Sequence, residues 1–104
     1  MSAEVEVEFT ERGYLHLTAA AAARFFPNDL LIALVRGNEM WLMPTRGAAG
    51  GGLILKQRNA AGDRSVLIWE VLPQHPVGAR PAIWDAERGA LRVALVSEAV
   101  QPAR

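Results

Sequence analysis

Cysteine is absent from the 104 residues, so disulfide stapling, thiol catalysis and cysteine-ligated metal are all excluded. Histidine is scarce: only His16 and His75 are present, 59 positions apart and outside any cluster of acids. No metal or other cofactor is therefore expected. A net charge of one sign is missing too, since 11 basic and 11 acidic side chains cancel. That balance argues against a general polyanion binder, because neutralising phosphates dominates non-specific nucleic-acid affinity. No run approaches the roughly 20 apolar residues needed to span a bilayer. Glu4, Glu6 and Glu8 occupy the start, where a secretory signal would need an apolar core. A cytoplasmic protein with no membrane partner is the expectation. Lysine occurs once, against ten arginines, and alanine 18 times, the bias of a GC-rich bacterial genome.

What is present reads as β structure. Apolar residues make up 51% of a chain long enough to bury about two-thirds of the surface it exposes when unfolded. Residues 12–44, RGYLHLTAAAAARFFPNDLLIALVRGNEMWLMP, form the organising stretch. Residues 14–17 alternate with the period of a half-buried strand. Thr18 is a candidate N-cap, and the five alanines after it are the best helix formers. Pro27 disfavours helical geometry at the residue before it, leaving about two turns that cannot stand alone. Phe25 and Phe26 are the expected anchors. Residues 30–35, LLIALV, have no polar face, so cover on both sides is expected. Gly37 and Asn38 supply turn chemistry before a returning strand at residues 40–43.

Arg12-Gly13, a short strand, a small helix, a polar turn ending in Asp29 and then a hairpin resemble the AbrB/SpoVT swapped-hairpin family. The likeness covers about a third of the chain. It implies an obligate homodimer with interleaved hairpins, and a DNA-binding regulator or antitoxin. Thr18 stands where that family usually has proline, and Asn28 where it has glycine. Its DNA contacts come from arginines near the first strand, a position matched here by Arg12.

Residues 3–9 alternate Val5, Val7 and Phe9 with the three glutamates, an amphipathic edge strand whose charges deter pairing with another chain. Residues 45–52, TRGAAGGG, lack the Gly-Lys-Ser/Thr of a phosphate loop and read as a flexible linker. The linker divides one domain, residues 1–96, into sub-modules 1–44 and 53–96, with 97–104 as a frayed tail. Residues 53–57 and 65–72 are expected as paired strands around a polar loop. Lys56, Gln57, Arg58, Asn59 and Arg64 cluster there, either as a recognition surface or as a solvated hairpin tip turned by Gly62-Asp63. Residues 80–85 and 90–96 make a last hairpin through Gly89. Trp41, Trp69 and Trp84 each fall in a different expected strand, with core packing the default. A Ser-His-Asp triad would have to draw on Ser2, Ser65 or Ser97, none in a nucleophile-elbow context.

The fold expected is mainly β (α+β): about eight short strands in a small barrel or two packed sheets, with one helix near residues 19–25. The function expected is a non-enzymatic binding module, an accessory or assembly protein docking on a protein partner. The alternative is the AbrB/SpoVT-like homodimeric DNA-binding regulator.

Overall fold

The alternation at the start of the chain builds β1 (Ala3–Phe9), which buries Val7 and Phe9 and turns Glu4, Glu6 and Glu8 outward. The computed structural model describes residues 3–46, 52–72 and 74–96. β1 hydrogen-bonds in antiparallel register with β2 (Tyr14–Leu17), pairing Glu8 with His16 and Phe9 with Leu15. It is not an edge strand: its other side pairs along its whole length with β8 (Gly78–Asp85). The three glutamates therefore mark a solvated outer face rather than a guarded edge.

Thr18 does cap α1 (Ala19–Phe25), its hydroxyl accepting from Ala21 N at 3.1 Å. The helix ends where expected, with Phe26 N donating to Ala22 O just before Pro27. Its buried side, Ala21, Ala22 and Phe25, lies on the sheet, and Phe26 is fully enclosed beyond it. Phe25 stacks on Trp84 with ring centroids 4.9 Å apart. Both phenylalanines are anchors, as their position at the end of a two-turn helix predicts.

β3 (Leu30–Arg36) and β4 (Glu39–Pro44) form the hairpin expected, with positive φ at Gly37 but not at Asn38. One expectation fails here. β3 is covered on one side only: Leu31 is buried, while Ile32 and Leu34 lie open to solvent. Because β3 alternates within a curved sheet, its second face is the outside of the sheet, and none of the described residues covers Ile32 or Leu34.

The second half departs from its expected boundaries. Residues 53–57 split into β5 (Leu53–Ile54) and β6 (Lys56–Gln57). β5 pairs with β3 and β6 with β7 (Arg64–Leu67). Between them Leu55 is buried and donates its N–H to Asp29 O at 2.9 Å. This short segment joins the two ends of the sheet order β5-β3-β4-β9-β8-β1-β2-β7-β6, so nine antiparallel strands curl into a nearly closed barrel. The small barrel expected is the one that forms; the split at Leu55 makes nine strands among the described residues where about eight were expected. β7 ends at Leu67 because Ile68 N turns away to donate to Gly13 O, and residues 68–71 form a turn.

β8 begins two residues before its expected start, and β9 (Ala90–Ala94) ends two residues early. Strands from the two sides of the glycine-rich stretch pair with each other throughout: β1 with β8, β2 with β7, β4 with β9 and β3 with β5. One core results, with Phe9, Leu15, Phe26, Leu31, Met40, Leu42 and Leu91 at its centre. Most of the linker expected at residues 45–52, and the tail expected at 97–104, lie outside the described residues.

The tryptophans divide. Trp84 packs against the core from β8. Trp41 faces outward from β4, with the guanidinium groups of Arg36, Arg88 and Arg92 at 5.1, 5.7 and 5.1 Å from its ring. Trp69 is not in a strand at all. It follows β7 in the turn, 46% exposed, and stacks on His75 at 3.6 Å.

Candidate partner-binding face

The loop after β6 is held by its own polar side chains. Arg58 N donates to Asp63 O and Gly62 N to Asn59 O, closing the backbone. Asn59 and Asp63 then interlock: Asn59 Nδ2 donates to Asp63 Oδ2 at 3.0 Å, and Asp63 N donates to Asn59 Oδ1 at 3.1 Å. Gln57 Nε2 donates to Asn59 O at 2.8 Å. Arg64 reaches the other way, donating to Asp29 Oδ1 at 3.1 Å and to Gly62 O. Of the five residues that sequence reasoning grouped here, Gln57, Asn59 and Arg64 are engaged in holding the loop. Lys56 and Arg58 make no side-chain hydrogen bond or ion pair among the described residues.

Asp63 has a role that a hairpin tip does not require. Its Oδ1 accepts from Ala19 N at 2.8 Å, so a residue 44 positions away satisfies an N-terminal amide of α1. Its carboxyl is held below the ordinary value of 3.8, first by the Asn59 amide and next by the Ala19 N–H. A carboxyl depressed in the folded state stabilises it above the unfolded pKa and loses that contribution as pH falls through the lowered value. The loss therefore falls below about pH 4. Asp63→Asn should be less stable than the wild type near pH 7 and should lose less between about pH 4 and pH 2. Urea melts at those pH values measure this, and parallel curves for the two proteins would refute it.

Around Lys56 and Arg58 lies an apolar floor. Tyr14 on β2 pairs in register with Leu67 on β7, and Ile54 on β5 stands beside them. Their exposures, 38%, 50% and 57%, are high for side chains of this size. A groove of about 330 Å³ runs between them and is edged by Lys56 and Arg58. A second, of about 560 Å³, continues past Leu67 to Trp69, Glu70 and Arg12. The two grooves share Ile54, Lys56 and Leu67, so Arg12 from the first turn joins the cations of the β6 loop on one face. Gly13 fixes the far end, its φ of 88° leaving room for the Trp69 ring laid over it.

Sequence reasoning found the cations of this face and missed its floor. Tyr14 and Leu67 sit on the polar phase of their strands with His16 and Ser65, and Ile54 shares the phase of Lys56 within the single strand expected at residues 53–57. An apolar residue out of phase is the signal that could have found them. Trp69 had no such signal, because its expected strand ends two residues earlier.

A second row of polar residues crosses the same sheet: Glu8, His16, Ser65 and Lys56 follow one another in register on β1, β2, β7 and β6. No hydrogen bond joins His16 to Glu8 or Ser65 among the described residues, so the nucleophile–base contact that a triad requires is not formed there. Partial burial lowers the His16 pKa, and Arg58 adds to this, while Glu8 and Asp63 oppose it. Among the described residues, no group of three or more His, Asp or Glu could hold a metal ion. No helix there is long and apolar enough to cross a membrane. No protein-family model, curated protein or solved structure matches the chain.

Proposed function

We propose that this chain is a non-enzymatic binding module, an accessory or assembly protein that docks an acidic, apolar-sided segment of a protein partner. The observation that carries the reading is the face just described. Tyr14, Ile54, Leu67 and Trp69 are large and exposed, and Arg12, Lys56 and Arg58 stand around them, none in an ion pair among the described residues, with Glu70 also on the lining. Tyrosine, tryptophan and arginine are the residue types that dominate binding hot spots. Exposed apolar side chains grouped within a cationic rim mark an interaction site, whereas scattered ones do not.

The test joins a cross-link to a charge reversal. A photoreactive residue replacing Leu67 identifies the bound protein, whose affinity for the purified chain is then measured. Lys56→Glu with Arg58→Glu should leave the melting curve nearly unchanged, since exposed charges contribute about 1 kcal/mol or less. It should weaken binding about tenfold or more, chiefly through the association rate, because rim charges steer encounter. Unaltered rate and affinity in the double variant would remove this face from the proposal.

One observation favours a second reading, the AbrB/SpoVT-like homodimeric DNA-binding regulator. Among the described residues the outer side of β3 is bare, with Ile32 and Leu34 exposed and Trp41 paired beside Leu34, and a second copy could supply the missing cover. Arg12, Lys56 and Arg58 would then be phosphate contacts. Salt separates the readings: a DNA complex loses affinity linearly in log salt, with slope about −0.9 per phosphate neutralised. A protein partner gives a shallower dependence. Sedimentation equilibrium showing only monomer at high micromolar concentration would eliminate the homodimer.

A further inference from the structure

A further cavity is lined by Arg80, a buried charge that has no counter-ion among the described residues. Arg80 on β8 is only 8% exposed. Its Nε donates to Leu95 O at 3.3 Å, and its Nη1 donates to Val77 O and Ala79 O at 3.1 and 3.0 Å. Its guanidinium lies 5.9 Å from the centre of the Phe9 ring. Among the described residues, the ion pairs are Arg64 with Asp29 and Arg92 with Glu39 and Asp85; Arg80 has no acid. Arginine stays protonated at any accessible pH, so burial cannot neutralise it. Carbonyl dipoles satisfy its Nε and Nη1 donors, but no acid among the described residues compensates its charge, which is costly in an apolar setting.

Nη2 is the atom left over. It has no acceptor among the described residues, and Thr45 Oγ1 is the sole buried, unpartnered side-chain polar atom found there. Arg80 lines the adjoining cavity of about 350 Å³, a volume typical of small-molecule sites. Val35, Leu72, Pro76 and Leu95 give that cavity apolar walls, and Asn38 and Gln74 bring amides to it. Gly78 keeps the guanidinium in place: a Cβ there would stand 3.4 Å from Nη1, on a backbone with φ of 108°. Mostly apolar walls with a few converging polar groups and one buried cation are the makings of a site for an anion with a hydrophobic body.

We propose that this cavity binds a small monocarboxylate, its anionic group on Arg80 Nη2 and its compact apolar body against Val35, Leu72 and Leu95. One buried positive charge matches one negative charge. A phosphate dianion would carry an excess charge into apolar walls.

The test uses benzoate as the probe, followed by NMR of the backbone amides and of the Arg80 side-chain Nε–H. Benzoate should shift Arg80 Nε–H and the Asn38 and Leu95 amides saturably. Benzamide, of the same shape and neutral, should bind about tenfold more weakly, the loss expected for one charge-assisted hydrogen bond. Inorganic phosphate should not saturate these shifts. Arg80→Gln removes a buried anchor and could unfold the chain, so Gln74→Glu provides the second arm. It supplies a carboxylate inside the cavity and should raise the melting temperature while weakening benzoate about tenfold. Equal affinity for benzamide, saturable binding of phosphate, shifts centred on Lys56 and Arg58, or full benzoate affinity in Gln74→Glu would each overturn the proposal. Because the readout lies at Arg80, its failure leaves the partner-binding face untouched.

Discussion

Gly13→Ala should destabilise the fold by about 2–5 kcal/mol, a large share of the 5–15 kcal/mol typical of a whole domain. Two costs add. The residue sits at φ of 88°, in the region where an L side chain is strained by about 1–2 kcal/mol. The new Cβ would also stand 2.9 Å from Trp69 Cβ and closer still to the ring at Cε3, an overpacking penalty of about 1–3 kcal/mol. Trp69 cannot simply swing away, because Gly13 O accepts from Ile68 N and holds the turn that carries the ring. The stack of Trp69 on His75 should be disturbed as well, so tryptophan fluorescence should change alongside stability. Urea denaturation at 25 °C measures the main effect, and a loss under about 1 kcal/mol would show that the turn and ring yield freely.

Gly13 also marks how far the sequence could be read. Its positive φ follows from the turn that has to close the amphipathic first strand, a local requirement that glycine meets without strain. That Trp69 covers it could not be expected, since the contact joins residues 56 apart and depends on β7 ending early. The same division runs through the chain. Local patterns gave β1, β2, the Thr18 cap, α1 and the β3–β4 hairpin, each set by neighbours within a few residues. Sheet order, closure through Leu55 and the outward placement of Trp41 depend on long-range pairing, which periodicity does not encode. The candidate site shows it most clearly. Charge density picked out Lys56 and Arg58, but Arg64 is drawn to Asp29 and Asn59 to Asp63. A polar cluster in sequence is the sum of residues that hold a loop and residues that face outward. Only tertiary partners separate them.

The loop and the helix stand or fall together, and Phe26→Ala is the substitution that tests this. It should destabilise the protein by about 3–5 kcal/mol, the cost of emptying a phenylalanine site in a core that cannot fully collapse. Phe26 is 1% exposed and lies just beyond a helix of seven residues. Such a helix has no stability of its own, so its order derives from packing. Phe25 does not replace the lost anchor, because it packs on Trp84 at a separate point. Once the helix loosens, the Ala19 N–H loses its fixed place against Asp63, and Asp63 is what Asn59 and the Arg58 backbone close upon. The presentation of Lys56 and Arg58 should therefore degrade before the barrel unfolds. Hydrogen exchange reads the order of events: in Phe26→Ala the amides of Ala19, Ala22 and Gly62 should lose protection together, while that of Leu91 follows global unfolding. If Gly62 keeps wild-type protection while Ala22 loses its own, the helix does not support the loop.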